Sequence, residues 1–407
     1  MLDVNKIRKD FRILDNTKMQ GHNLVYFDSA ATSLTPDVLI DAMNDYYYNY
    51  KSNVHRGDYD LAYQSDTHYE DARKTIASFI NANDNEVVFT TGTTQSINLV
   101  ALGYFANHLH EGDEIILNVA EHASNVLPWL NIKEKTKAKI VYCDLNDKGE
   151  VTLENLKKVI TDRTRLISVA YVSNVLGAKN DVKKIISYAH KHNILVLVDA
   201  AQAIPHIRID VKDIDADFLA FSAHKMCGPT GVGVLYGKYE LLCETESLSF
   251  GGGMNVRFEK DSYILKKPPY KFEGGTPAIA EVIGFKRAIE YLSEIGYENI
   301  EEYVKELKRY ALEKLSKLDN VILYNNNDSS LITFNIKDVF CQDAGSYFNY
   351  KGIALRSGHH CAKLLPSYLG CVGTVRASLY FYNTKEEIDV FVDACKHGGE
   401  FLDAFFK

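Results

Sequence analysis

The sequence contains no apolar stretch approaching the roughly 20 residues that a bilayer span requires, so no membrane helix is expected. Residues 1–12 lack the apolar core of a secretory signal. The seven cysteines (143, 227, 243, 341, 361, 371, 395) are scattered, odd in number and free of any CxxC pair. That spacing offers neither a disulfide framework nor a zinc knuckle, and reduced thiols in the cytoplasm are the plain expectation. Positive charge is not in excess: 46 Lys and Arg stand against 54 Asp and Glu, for a net charge of −8. Bulk charge therefore gives no reason to expect a nucleic-acid partner. Internal repeats and low-complexity segments are missing as well. What remains is a soluble globular chain, and 407 residues suffice for two or three domains around a large core.

From residue 24, short apolar runs alternate with longer segments of helical periodicity. The runs fall at 24–27, 86–90, 114–118, 139–143, 166–171, 194–198, 218–221 and 232–236, with helical patterns such as 69–80, 98–110 and 183–192 between them. This alternation predicts an α/β fold: a mostly parallel mixed sheet flanked by helices, with ligands at the carboxyl ends of the strands. After Thr276-Pro277 the rhythm changes. A helical region covers 279–318 with a break near Gly296, and short strands are expected at 321–324, 331–336, 354–357 and 374–380. A helix from Lys385 closes the chain. These elements predict a smaller α+β domain. Residues 1–21, with Ile7, Phe11 and Leu14 at helical spacing, are expected to form a helix that joins it. The boundaries expected are 22–290 for the large domain, and 1–21 with 291–407 for the small one.

Polar residues gather where the predicted strands end. Ser222, Ala223, His224 and Lys225 follow the buried run 218–221 and precede a Gly-Pro turn. A lysine held there is partly out of water, which lowers its pKa and suits an amine that attacks a carbonyl. Pyridoxal phosphate, bound as a Schiff base, is the carbonyl compound that fits. Thr91-Gly92-Thr93-Thr94-Gln95 opens a helix after another strand, and its N–H groups with the Thr93 and Thr94 hydroxyls can cradle a phosphate. Asp199 ends the apolar run 194–198, where an unpaired carboxylate is costly; a protonated pyridine nitrogen would partner it. Gln202 could donate to the ring's phenolic oxygen. His122 could stack on that ring and pass protons, having an ordinary pKa near neutrality. Asn174 completes the row. Each residue alone has an ordinary explanation as a cap, a turn former or a structural histidine, but the row at successive strand ends favours a site.

In the smaller domain Arg356-Ser357-Gly358-His359-His360-Cys361 precedes Arg376. Arginine is the natural fork for an amino-acid carboxylate. Cys361, beside two histidines, is a candidate reactive thiolate. A metal site at His359, His360 and Cys361 is discounted, because adjacent residues seldom all reach one ion and no second ligand cluster is evident.

These motifs make the chain similar to the fold-type I, class V aminotransferase-like enzymes, and among them to the SUF-type (group II) cysteine desulfurases. The resemblance runs nearly end to end: Y-F-D-S-A-A-T (26–32), N-V-H-R-G (53–57), T-G-T-T-Q-S-I-N-L-V-A (91–101), E-H-A-S-N-V-L-P-W (121–129), S-N-V-L-G (173–177), V-D-A-A-Q (198–202), F-S-A-H-K (221–225), G-P-T-G-V-G-V-L-Y-G (228–237), F-E-G-G-T-P (272–277), R-S-G-H-H-C-A (356–362) and V-R-A-S-L-Y-F-Y-N-T (375–384). R-x-G-H-H-C is the discriminating motif, since group I enzymes carry a Ser-rich sequence around their cysteine.

The resemblance implies that Lys225 carries pyridoxal phosphate, Asp199 pairs with the pyridine nitrogen, Gln202 meets the phenolic oxygen and His122 stacks on the ring. Thr93, Thr94, Ser222 and His224 would hold the phosphate, with Thr276 contributed by the other subunit of a homodimer. Asn174, Arg356 and Arg376 would position L-cysteine, and Cys361 would accept its sulfur. The implied reaction turns L-cysteine into L-alanine and leaves a persulfide on Cys361, which a small sulfur-acceptor protein of the SUF system takes for iron–sulfur cluster assembly. The alternatives are a selenocysteine lyase or another class V lyase. Ala123, Met226-Cys227 and Ala278 depart from the family pattern without removing a residue of assigned chemistry.

Overall fold

The computed structural model describes residues 2–400 and residue 402. The first expected strand, β1 (Val25–Tyr26), stands apart from the seven that follow. Those are β2 (Val87–Thr90), β3 (Glu114–Asn118), β4 (Lys139–Cys143), β5 (Thr164–Ala170), β6 (Leu195–Asp199), β7 (Phe218–Ser222) and β8 (Gly233–Gly237). They form one sheet in the order β2-β8-β7-β6-β5-β3-β4. The pairs from β7 to β4 are parallel, and only β8 runs against its neighbours β2 and β7. Both faces are covered. In β7, Leu219 and Phe221 enter one apolar core while Phe218 and Ala220 enter another; Ile116 is likewise separated from Ile115 and Leu117 in β3. Side chains alternate across a pleated strand, so a sheet buried on both sides needs apolar residues at every position. That is why these strands read as unbroken apolar runs.

The one reversed strand serves the site. Gly233 pairs with both Thr90 and Ser222, so β8 brings the ends of β2 and β7 together. A Cβ on Gly233 would lie 2.4 Å from the Cα of Gly92 and 2.7 Å from the carbonyl oxygen of Phe221. Glycine alone permits this approach.

Helices α1 (Asp37–Asp45) and α2 (Asp60–Phe79) precede the sheet, α3 (Thr93–Leu99) follows β2, α4 (Leu127–Thr136) follows β3, and α5 (Val182–His190) leads into β6. Beyond the sheet, an antiparallel hairpin of Asn255–Phe258 and Tyr263–Leu265 projects with Val256, Phe258, Tyr263 and Ile264 exposed. Sequence reading passed over it, because a hairpin that buries neither face has no apolar periodicity. The long helical region is two helices, α6 (Ile279–Ile295) and α7 (Tyr297–Leu315), parted as expected at Gly296, whose φ is +90°.

The second sheet is antiparallel, in the order β9 (Val321–Leu323), β10 (Leu331–Ile336), β13 (Thr374–Ser378) and β12 (Arg356–Gly358). Helix α8 (Cys341–Tyr350) lies against it and α9 (Lys385–Lys396) comes last. The expected strand 354–357 is in fact two pieces. Its first, β11 (Ile353–Ala354), leaves the antiparallel sheet and pairs in parallel with β1. The N-terminal helix differs too: it breaks into Val4–Arg8 and Arg12–Asn16 around Phe11, which is buried against Tyr291, Phe381 and Tyr382.

Candidate active site

A cavity of about 170 Å³ opens at the carboxyl ends of the parallel strands. Of the thirteen candidate residues, eleven line it: Thr93, Thr94, His122, Asn174, Asp199, Gln202, Ser222, His224, Lys225, Arg356 and Arg376. One end is hydroxyl-rich. The Ser222 hydroxyl accepts from the Thr93 backbone N–H at 2.8 Å and lies 2.7 Å from the Thr93 hydroxyl; Thr94 and Ser124 share a hydrogen bond of 2.7 Å. Gly92 stands behind them with φ +148°, and a Cβ there would come within 3.2 Å of the Ser222 hydroxyl. With the first turn of α3, this end is suited to an anion.

Asp199 lines the same cavity, 6% exposed at the end of β6. Burial raises its pKa, opposed by the Ala201 N–H bonded to it and by Lys225. Lys225 answers in kind: burial lowers its amine to about 8, Asp199 pulls it back up, and Arg376 and Arg356 push it down. At neutral pH a useful fraction of this amine is unprotonated and nucleophilic. Gln202 donates to the carbonyl of Ala30 at 2.7 Å, which leaves it a second N–H.

His122 departs from its expectation. Burial, then the charges of Lys225, Arg356 and Arg376, push its pKa down to about 4, so the ring is neutral at physiological pH. Its Nδ1 accepts from the Ser124 N–H at 3.1 Å, which puts the proton on Nε2. Burial and Lys225 likewise hold His224 at about 4.

The arginines come from the second sheet. Arg356 and Arg376 are direct partners across β12 and β13, an arrangement of like charges that is costly unless an anion lies between them. Arg376 is 1% exposed and is held by the Asn174 carbonyl at 2.8 Å and by Asp28 at 3.3 Å. Burial lowers its pKa to about 10, with Asp28 opposing and Arg356 assisting. Its Nε has no partner among the described residues.

Cys361 does not line the cavity; its thiol sits 3.3 Å from the Nη2 of Arg356, which does. The histidines around it do not play the part expected of them. His359 is exposed, and the His360 ring is buried against the carbonyl and hydroxyl of Thr374 at 2.9 and 3.0 Å, with burial driving its pKa to about 3. Arg356 is the cation that faces the sulfur. The loop is fixed from the large sheet's side: Ala123 N–H donates to the Cys361 carbonyl and the Asn174 side chain to the His360 carbonyl, each at 2.7 Å. His360 and Cys361 both adopt left-handed backbone, with φ of +51° and +59°, at a cost of about 1 kcal/mol each.

Thr276 is the exception: it is exposed and outside the cavity. Two lining or supporting groups escaped sequence reading, Ser124 and the Asp28 carboxylate. Both lie inside noticed motifs, yet a lone Ser or Asp at a turn carries no signal of what it will face.

The chain has relatives among known proteins in both sequence and fold. The family model of the class V aminotransferases matches residues 25–391. A probable cysteine desulfurase of Halalkalibacterium halodurans is 44% identical over 407 residues, covering all of both chains. One from Staphylococcus aureus is also 44% identical, over 99% of this chain and 98% of its own. Among solved structures, the cysteine desulfurase CsdA of Escherichia coli superposes with a TM-score of 0.91 at 38% identity, over 98% of this chain and 99% of that one. An apo cysteine desulfurase of Thermococcus onnurineus gives 0.92 at 36%, over 98% of each chain. The chain belongs to the class V aminotransferase family, whose members depend on pyridoxal phosphate.

Proposed function

We propose that this protein is a cysteine desulfurase of the SUF type, which converts L-cysteine into L-alanine and collects the sulfur as a persulfide on Cys361. The observation that carries the reading is Arg356, which reaches the Cys361 sulfur at 3.3 Å and lines the cavity that Lys225 enters. The residues present fit pyridoxal phosphate: a hydroxyl cradle that a Cβ on Gly92 would crowd, a buried carboxylate, and a lysine of lowered pKa, all lining one cavity. When bound, the cofactor supplies an electron sink conjugated to the substrate's amine.

The chain's own residues do the rest. Thr93, Thr94, Ser222 and His224 would hold the phosphate, Asp199 the pyridine nitrogen, and Gln202 the phenolic oxygen through its free N–H. His122, a neutral imidazole, would stack on the ring. Lys225 would tether the cofactor, and its amine would be the base that takes the substrate's Cα proton. Asn174, Arg356 and Arg376 orient the substrate carboxylate, and an anion there relieves the repulsion between the two facing arginines. The Cys361 thiolate attacks the substrate sulfur: an S–S bond forms, the C–S bond breaks, and the carbon fragment gains a proton to become alanine. Thiol and cysteine in, persulfide and alanine out, the step balances.

The exposure of Thr276 supports a homodimer in which it serves the partner's phosphate. Its turn is bonded to the segment that leads into the apolar hairpin, Gly275 N–H to Gly252 carbonyl at 2.8 Å, and Phe258 and Tyr263 of that hairpin are exposed. We take 22–290 as the cofactor domain, and 1–21 with 291–407 as the domain that carries the cysteine loop. The seven free thiols support a cytoplasmic location, and a small acceptor protein receives the sulfur for iron–sulfur cluster assembly. The test is incubation of the cofactor-loaded protein with L-cysteine. Alanine should appear, and mass spectrometry should find one added sulfur on the peptide containing Cys361. A persulfide chiefly on Cys227 or Cys371 overturns the assignment; faster turnover of L-selenocysteine with no need for Cys361 would favour a lyase.

A further inference from the structure

The most completely buried ion pair around the site is one that the chemistry above does not use. Arg73, on α2, has a side chain only 1% exposed. Its guanidinium grips the Glu273 carboxylate with both Nη atoms, at 2.8 and 2.7 Å, and donates a further bond of 2.9 Å to the Val87 carbonyl. Its Nε meets Glu70 at 3.1 Å, and Glu70 is held in turn by His55 at 3.2 Å and the Tyr270 hydroxyl at 3.2 Å. Tyr69 approaches Glu273 at 3.4 Å, and the Phe89 ring lies 4.4 Å from the guanidinium carbon. Burial alone would lower the Arg73 pKa, but Glu273 more than offsets it, and the charge is permanent.

The two ends of this pair lead to different places. Arg73 and the Phe89 N–H, which donates to Glu273 at 2.9 Å, fix β2, and β2 runs directly into the Thr91–Thr94 cradle. Glu273 begins the Gly274-Gly275-Thr276 turn, where φ of Gly275 is +88° and a Cβ on Gly274 would lie 2.9 Å from the Met254 sulfur. Two glycines leave such a turn no rigidity of its own. Its position comes from Glu273 on one side and from the Gly252 carbonyl and Arg56, at 3.4 Å from the Gly275 carbonyl, on the other.

We infer that Arg73 and Glu273 are positioning residues for cofactor phosphate: they set the Thr276 turn at a fixed distance from the phosphate cradle of their own subunit. This deepens the proposed function and rests on its assignment of Thr276 to the phosphate. Through the pair, one subunit holds two phosphate-contacting elements in register, its own cradle and the turn it lends to its partner. A bidentate arginine fork fixes both distance and angle, which a lysine cannot do.

The test is cofactor binding, followed by absorbance, with pyridoxal (which lacks the phosphate) as the control ligand. Glu273→Asp keeps the charge and shortens the arm by one carbon; Arg73→Lys keeps the charge and loses the fork. Each should weaken pyridoxal phosphate binding about tenfold, the loss of a charge-assisted hydrogen bond, and leave pyridoxal binding within about twofold. A merely structural role would lower the melting temperature and weaken both ligands alike. Unchanged affinity for pyridoxal phosphate in folded, dimeric forms of both variants, or equal loss for both ligands, overturns the proposal. A mixed dimer separates it from the reading on which it rests. One chain carries Lys225→Ala with Glu273→Asp and the other is wild type. If Thr276 acts across the dimer, the intact Lys225 site binds pyridoxal phosphate weakly although all its own residues are wild type. Normal binding there, alongside weak and phosphate-specific binding in the Glu273→Asp homodimer, keeps the pair as a positioning device within its own subunit and sinks the exchange of Thr276.

Discussion

Lys225 and Lys308 are both drawn away from water, and only one of them lines a cavity. At the mouth of the large sheet Lys225 is brought to about 8; beneath the small sheet Lys308, on α7, is brought to about 7. Burial is the leading cause in both. The difference lies in what surrounds the amine. Lys225 faces a cavity with a carboxylate across it and two guanidinium groups nearby. Lys308 has a side chain of zero exposure and gives its Nζ to the Leu331 carbonyl, which Asn325 also serves. A shifted pKa marks burial; a cavity and an opposed charge mark chemistry.

The largest expected effect breaks the symmetry between the two. Lys225→Ala should lower alanine formation from cysteine by at least about a thousandfold, since tether and base are lost together. It should also abolish the covalent fixing of cofactor by borohydride. Retention of that fixation would move the tether to another lysine.

Next comes the thiol that faces Arg356. Cys361→Ser should cut alanine release from cysteine by about a hundredfold or more while cofactor binding persists, because an alcohol is far harder to ionise than a thiol. Peptide mapping after cysteine treatment should then find no persulfide elsewhere, and normal alanine release would end the mechanism.

Lys308→Met should leave turnover within about twofold and act on stability alone. The folded pKa lies near 7 and the unfolded one near 10.4, so between them the unfolded chain binds more protons and stability rises with pH, by about 1.4 kcal/mol per pH unit at most. The variant should be the more stable at pH 7, and the difference should shrink by pH 9 in denaturant titrations. Parallel curves for the two proteins would show instead that Lys308 keeps its proton in the fold, with no lowering of its pKa.

The smallest effect belongs to Cys143, at the end of β4, where burial raises the thiol to about 12. Cys143→Ala should leave the rate within about twofold, and iodoacetamide should modify Cys361 well before it. Early labelling of Cys143 would remove the contrast.

The sequence was most readable where position along a strand decides function. Asp199 and Lys225 end unbroken apolar runs, and a sheet covered on both faces leaves its strand ends as the natural place for a polar side chain. The same logic located His122, Asn174 and Ser222. It failed where partners are distant in sequence and the pattern is not periodic. Nothing in 24–27 says that Val25 will pair with Ile353 rather than join the parallel sheet. R-x-G-H-H-C singles out the cysteine that lies beside Arg356 but suggests histidines as its neighbours, whereas the His360 ring turns to Thr374 and His359 is exposed. Arg73 and Glu273, 200 residues apart, look like any two surface charges until α2 and the glycine turn are brought together.

If Cys361 collects sulfur for an acceptor protein as proposed, the anchoring of its loop shapes how that sulfur can leave. With the His360 and Cys361 carbonyls both held by the large sheet's loops, an outward swing of the backbone has to break two hydrogen bonds first. The travel left to the terminal sulfur is rotation about the cysteine side chain plus one added S–S bond of about 2.05 Å. A receiving thiol therefore makes the journey itself. It has to sit on a protruding tip of its protein, narrow enough to reach the mouth beside Arg356, and a partner whose thiol lies in a hollow would dock without ever collecting the cargo.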